Sequence, residues 1–473
     1  MKIYKSIIAA LAVSLTVASC SDEFLNDPAP TNSVPPELIY DSFEGAHAYM
    51  SGILRLMRGQ YLDTQTGNLG SMYFARTVKG NDVLISSNWF LNDYAHLFKD
   101  ANQSRTDFTW KFSYDIIKHV NTLIQGVNAS STITQEDKDY LVSQALGIRA
   151  FYYFELSLEY QQTYVFNPDL DAPPIYDEPT LVGKPMSTQR ELYAFIESDL
   201  LKAIEIGSED RTDKSYFNTN VYHAVLARVY QVMGNWAGAE EHANLAYGGA
   251  TVAAVLDPAS YDDGFSNLNN REWIWGTPQS DDQSAYYWTA PHPFFEHYVT
   301  AYANAFINIG FTNKFSGTDV RNVFENPYEL PDTDFRSRVT TKFAFSFNSA
   351  TPILRTAEMI LIEAEAKMHN GDENGGHDLL YALQVNRDPN AVKSSNTGAT
   401  LYDELYLERR KELYGEMGVE WYDAKRLRRG INRDPIHQSP VNLTPDDKRF
   451  ILKIPISEID SNPLIDETVN ANR

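Results

Sequence analysis

The stretch "AVLARVYQVMGNWAGAEEHANLAY" (224–247) decides the architecture. Apolar and small residues recur at helical intervals on both sides of Gly234-Asn235, so it reads as two helices joined by a tight turn. Ala227, Ala239, Ala243 and Ala246 are small enough for two antiparallel helices to approach closely, and Gly234 tolerates the positive φ that such a turn demands.

Ala227, Tyr230, Gly234, Ala239, Ala243 and Ala246 fit the tetratricopeptide spacing. A second stretch, "LIEAEAKMHNGDENGGHDLLYAL" (361–383), follows it less fully, with Ala364, Gly371, Gly376, Leu380 and Leu383 at equivalent offsets. Well over a hundred residues separate the two, so they are not a tandem array and something is inserted between them. That insert, about 250–350, is rich in Asn, Asp, Gly and aromatic residues and shows few helical periods. It includes "NNREWIWGTPQSDDQSAYYWTAPHPFFEHYV" (269–299). Loops of such length inside a compact protein are usually functional or disordered, and the aromatic density argues against disorder. Elsewhere the helical pattern continues: a first stretch over about 37–58, a second over 107–127, and one long helix in "TITQEDKDYLVSQALGIRAFYYFELSLEYQQ". Thr134 with Asp137, and Thr188 with Glu191, stand in capping-box positions.

The N-terminus reads differently. Lys2 and Lys5 precede "SIIAALAVSLTVAS", an apolar run of signal-peptide length and shorter than the roughly 20 residues a bilayer span needs. It closes on Val17-Ala18-Ser19-Cys20, which resembles the bacterial lipobox. Cys20, the only cysteine in the 473-residue chain, is then a lipid anchor. The following Ser21-Asp22-Glu23 resembles the acidic tag of surface-exposed Bacteroidota lipoproteins. "LNDPAPTNSVPPE" (25–37) is Pro-rich, lacks a hydrophobic period and reads as a tether. The organisation expected is therefore a signal peptide at 1–19, a lipidated tether at 20–36 and a single domain over 37–473. Its helical-repeat parts span about 105–250 and 350–430, and its loop-rich part about 60–104 and 251–350.

Composition narrows the function. Loss of residues 1–19 removes Lys2 and Lys5 and no acid, which takes the formal charge from −23 to −25. So acidic a surface repels phosphate backbones, and nucleic acid is not an expected partner. No HExxH, GxSxG, Walker A or GxGxxG pattern occurs, a lipidated cysteine leaves no thiol for catalysis or zinc, and no cofactor is expected. The histidines are scattered, and His292 and His297 lie five apart in a loop, which fits no helical ligand pair. Whether a metal such as calcium supports a loop is left open. Carboxylates are too numerous to single out a glycosidase pair. Aromatic residues are abundant, 29 Tyr, 24 Phe and 7 Trp, more than packing requires.

Six stretches, in order along the chain, resemble the SusD/RagB family of outer-membrane nutrient-binding lipoproteins. They are "CSDEFLND" (20–27), "RAFYYFELSLEYQQTY" (149–164), "DAPPIYDEPT" (171–180), "TAEMILIEAEAKMHNG" (356–371), "ERRKELYGEMGVEWYDAKRLRRG" (408–430) and "ILKIPISEIDSNPLI" (451–465). The fifth departs from the family's Glu-Gly-x-Arg-Trp-x-Asp continuation: it has one extra residue, and Glu420 stands where arginine is expected. We read Glu408, Arg409, Glu412 and Arg426 as a structural charge network. The resemblance implies a mostly α fold, with tetratricopeptide-like hairpins and an inserted loop-rich ligand-binding part. It implies a non-catalytic surface protein, lipid-anchored in the outer membrane, that binds an oligosaccharide or a peptide and passes it to a SusC-like, TonB-dependent transporter. A surface glycoside hydrolase and a protein-binding helical scaffold are the competing readings.

Sugars present flat C–H faces and a rim of hydroxyls, so a sugar site needs exposed rings beside planar polar groups. Two stretches supply both. "ARTVKGNDVLISSNWFLNDY" (75–94) offers Arg76, Asn81, Asp82, Trp89, Asn92 and Tyr94; "SAYYWTAPHPFF" (284–295) offers Tyr286, Tyr287 and Trp288. Trp89 and Trp288 are the leading platforms. Trp273 and Trp275 alternate as in a strand and are expected in the core.

Overall fold

The computed structural model describes residues 39–59, 61–86, 89–279, 291–299 and 301–473. The fold is mostly α-helical, with short strands. The principal helices are α1 (Phe43–Leu56), α2 (Leu69–Thr77), α3 (Ser104–Ala129), α4 (Gln135–Tyr160), α5 (Gln189–Ile206), α6 (Thr219–Met233), α7 (Trp236–Ala246), α8 (Thr356–His369), α9 (Glu373–Arg387), α10 (Gly398–Leu413) and α11 (Val419–Arg426). Helices α3 to α7 pack one on the next in chain order, and α8 docks on α7 as if it were the following member of the row, with α9 and α10 beyond it. The hairpins α6–α7 and α8–α9 are thus spatial neighbours although the insert separates them in sequence.

Local chemistry sets these helices. The Thr188 and Glu191 pair forms a reciprocal capping box at the start of α5, whereas Thr134 at the start of α4 accepts from the Asp137 backbone N–H without a reciprocal bond to its own. Helix α6 stops at Gly234, whose φ of +71° most side chains avoid, and Asn235 then caps α7 by accepting from the Gly238 N–H. In the second hairpin a Cβ on Gly376 would lie 2.5 Å from the Ala364 carbonyl oxygen, so α8 and α9 touch at backbone distance there. Ala227, Ala239, Ala243, Ala246 and Ala364 are all fully buried at these contacts.

The loop-rich part between α7 and α8 has its own core. Two of its ribbons position the site: β1 (Val83–Ile85), from the segment after α2, pairs antiparallel with β3 (Ala305–Ile307), and β2 (Trp273–Thr277) pairs antiparallel with β4 (Thr351–Arg355). Phe74, Phe90, Phe294, Phe295, Phe311 and Phe343 fill this second core. Trp273 and Trp275 are both buried, as the alternation suggested, but they serve different cores. Trp273 packs with the phenylalanines and Trp275 with the helices, because the ribbon slips register between them. One strand thereby joins both halves.

Ion pairs make the second joint. Glu412 of α10 accepts from Arg387 of α9, Arg355 of β4 and Arg321 of the insert, at 2.9–3.2 Å. Around it, Glu272 pairs with Arg387, Glu416 with Arg355 and Lys342, Glu408 with Arg321, and Asp319 with Arg321 and Lys411. All these side chains are buried except that of Lys411, which is mostly so, and their charges cancel. The Glu-Arg-Arg-x-Glu-Leu signature is therefore a clamp between helices and insert. Its remaining charges are also structural: Arg409 pairs with Asp423, and Arg426 pairs with Asp423 and with Glu365 of α8.

Candidate ligand-binding site

The ribbon β1–β3 positions a half-buried aromatic pair. Its hydrogen bonding continues past β1, where the Ser86 N–H donates to the Asn304 carbonyl at 3.0 Å. Trp89 follows on one side of this end, and Tyr302 precedes it on the other. Their rings lie 5.0 Å apart, inclined by 41°. Tyr302 rests on Phe294 at 4.9 Å, and Phe294 stacks on Phe74 at 4.8 Å, so the half-buried pair stands on a rigid aromatic column.

Polar groups lock the backbone beneath the rings. The buried Asn304 amide donates to the Trp89 carbonyl at 3.2 Å, and Gln65 Oε1 accepts from the Phe90 N–H at 2.7 Å. Phe90 and Ala303, the residues that directly follow the two platforms, both have positive φ, 59° and 45°. Such strain in residues that are not glycine persists only where the surroundings over-determine it, and it gathers at binding sites. Here the two strained positions flank the ring pair at the end of one ribbon.

The rest of the 75–94 stretch is mostly core, which corrects the expectation for three residues. Arg76 is buried between Glu155 and Glu159 of α4, at 2.7 and 2.5 Å, and lies under the Trp421 ring. Burial alone would raise the Glu159 carboxyl, but Arg76 brings it down to about 2. Asp82 is buried in a two-pronged pair with Arg410 at 2.5 and 3.0 Å. Tyr94 is wholly buried, its hydroxyl on His437 at 2.7 Å and its ring 4.1 Å from Arg433. These side chains are committed within the fold and present nothing to a ligand. Asn81 is half-buried, its amide oxygen accepting from the Asp434 N–H at 3.1 Å. Asn92 is exposed, on the one-turn helix Leu91–Tyr94 that follows Trp89. Tyr286, Tyr287, Trp288 and Cys20 lie outside the described residues.

Glu420 explains its own departure from the family pattern. Its carboxylate accepts from the Asn81 and Asp82 backbone N–H groups at 2.5 and 3.1 Å, which ties the start of β1 to α11. Burial, and then the charge of Asp82, push its carboxyl up to about 7. His292 is buried, its Nε2–H donates to the Phe265 carbonyl at 2.6 Å, and burial pushes it down to about 4. Among the described residues no three His, Cys, Asp or Glu gather as a metal site, and no helix is long and apolar enough to cross a membrane.

Sequence reading missed Tyr302, Asn304 and Gln65. Tyr302 lies in "VTAYANAF" (299–306), whose single Tyr carries no signal until β3 pairs with β1, more than two hundred residues away.

Residues 54–231 match the family model described as starch-binding associating with outer membrane, and residues 344–470 match the model of the SusD family. The chain belongs to the SusD/RagB family. Solved structures agree on the SusD fold. A SusD-like carbohydrate binding protein from Bacteroides vulgatus is 24% identical with a TM-score of 0.80, over 91% of this chain and 98% of that one. A SusD superfamily protein from Bacteroides thetaiotaomicron is 22% identical with a TM-score of 0.79, over 90% and 99%. Surface glycan-binding protein A from Bacteroides fluxus is 16% identical with a TM-score of 0.70, over 88% and 96%. No curated protein sequence matches the chain.

Proposed function

We propose that this SusD/RagB protein binds a neutral oligosaccharide on the Trp89–Tyr302 face without cleaving it. The observation that carries the reading is the half-buried ring pair itself, with Tyr302 on a phenylalanine column, the Trp89 backbone held by Asn304, and two strained backbone positions flanking it. Ring faces gain free energy from sugar C–H surfaces without needing charge, which suits a chain of net charge −23. Asn92 stands beside the pair in sequence as a planar polar group. Trp288, Tyr287 and Tyr286 remain candidate contacts on their sequence alone.

The family's descriptions as starch-binding and outer-membrane-associated support this ligand class and a surface location. In this reading Cys20 carries the lipid, the tether spans residues 20–36, and the bound glycan passes to a SusC-like, TonB-dependent transporter. Trp89→Ala and Tyr302→Ala should each weaken binding by about tenfold or more, with far-ultraviolet dichroism unchanged. Isothermal titration against an oligosaccharide panel measures this, and chromatography of the mixtures checks for products. Wild-type affinity in both variants refutes the site, and released products refute the non-catalytic role. Binding of peptides alone would transfer the same face to the peptide-binding branch of the family.

A further inference from the structure

A second aromatic cleft, of about 490 Å³, opens on the helical side of the molecule. It is built from α3, the loop after α4 and the C-terminal segment, and is also lined by Tyr61 of the α1–α2 loop, whose Thr64 and Gln65 reach Tyr302 and the Phe90 backbone. Its size falls in the range of small-ligand sites. Two of the stretches that marked the family meet there without any role in the site already described: "DAPPIYDEPT" brings Tyr176 and Glu178, and "ILKIPISEIDSNPLI" brings Glu458 and Asn462.

The cleft is pre-organised. Tyr114 and Tyr176 stand at right angles, 5.6 Å apart, and both are half-buried. Their hydroxyls are tied down, Tyr114 donating to the Pro174 carbonyl at 2.7 Å and Tyr176 accepting from the Lys184 N–H at 3.1 Å, so the rings cannot swing. Between them and the buried Trp110 sits the Glu458 carboxylate. Trp110 Nε1 donates to one of its oxygens at 3.1 Å and the Asn462 amide to the other at 2.8 Å. No lysine, arginine or histidine pairs with it among the described residues. A carboxylate fixed by two neutral donors keeps acceptor capacity on both oxygens. Two adjacent hydroxyls satisfy that geometry, while one tyrosine face receives the C–H side of the same ring and the other ring meets its edge.

We infer that this cleft is a second saccharide site, taking one or two neutral sugar units between Tyr114, Tyr176 and Glu458. Two sites would let one molecule hold two points of a glycan, or two glycans.

The test uses the chain from residue 20 onward and neutral trisaccharides of glucose, xylose, mannose and galactose. The expected result is two binding events per chain in titration. Tyr176→Ala and Glu458→Gln should each weaken one of them about tenfold and spare the other, while Trp89→Ala does the reverse. The two variants change different parts of the cleft, so loss of folding in one leaves the other to decide. Crystals soaked with the tightest trisaccharide should show it against Tyr114 and Tyr176. A single event abolished by Trp89→Ala, no event with any trisaccharide, or density for residues 28–36 filling the cleft would each overturn the inference. A cleft event that survives when the Trp89 event is absent would support it and sink the primary site instead.

Discussion

Replacing Glu412 by glutamine probes the clamp at its centre. The side chain is fully buried and takes four hydrogen bonds from three guanidinium groups. Each of those contacts is worth about 4 kcal/mol of Coulomb attraction at an effective dielectric near 20. Against that stand the cost of burying the carboxylate and its repulsion from Glu408, Glu416 and Glu272. The amide keeps the shape and one acceptor but leaves the cluster with one uncompensated positive charge. Removing one partner of a buried pair costs about 3–5 kcal/mol, and we expect that loss. Urea unfolding at pH 7 measures it as a drop in midpoint with an unchanged slope. Arg429→Gln is the internal contrast, since its pair with Asp403 is about half exposed on both sides and should cost under about 1 kcal/mol. The pH dependence adds a second check. Burial would raise the Glu412 carboxyl, but Arg387, Arg355 and Arg321 together hold it well below the usual range. A depressed carboxylate stabilises the fold above its unfolded value and loses that contribution as pH falls. Wild-type stability should therefore fall steeply below about pH 4.5, and the glutamine variant less so. A midpoint change equal to that of Arg429→Gln would refute the clamp.

Glu420 predicts the opposite slope: its raised carboxyl stabilises the fold at low pH, and that contribution is lost as pH rises toward and past about 7. Urea midpoints between pH 5 and 8 should decline in wild type and stay level in Glu420→Gln; parallel profiles would exclude the assignment. Arg76→Met leaves Glu155 and Glu159 buried without their guanidinium and should cost about 3–5 kcal/mol, read by the same unfolding assay. A cost near zero would return Arg76 to the list of ligand contacts. Ala303→Gly relaxes a φ of 45° and should leave stability level or raise it by up to about 1 kcal/mol, while loosening Tyr302 and weakening glycan binding. Unchanged affinity would mean that the strain does not aim the ring.

The helical frame was readable because its determinants are local. Small residues at 3.6-residue spacing, a glycine at the turn and a Thr-x-x-Glu cap all act within a few positions, and α5, α6 and α7 follow from them directly. Several of the family motifs were readable for a related reason: they are spent on buried polar contacts within the helix row. Arg149 pairs with Asp199, Glu155 with Arg76, Glu358 with Arg228, and Glu365 with Arg426. Breaking one of these leaves a charge or donor in the interior, so residue type and spacing are tightly constrained there.

Surface chemistry carries no such constraint, which is why the candidate site was read only in part. In the 75–94 stretch, composition offered six polar or aromatic residues, with Trp89 as the leading platform and nothing to rank the other five. What separates them is pairing across the chain: Asp82 meets Arg410, Tyr94 meets His437 and Arg433, and Trp89 meets Tyr302. Trp89 is half-buried just past the end of the β1–β3 ribbon, and nothing in the twenty residues around it encodes where that ribbon ends. The clamp at Glu412 has a bearing on this division. It fixes the insert to the helices through buried charges that lie apart from the aromatic face, so ring identities at the face can change without breaking the joint. A family built this way keeps its scaffold legible in sequence and its ligand preference legible only in three dimensions.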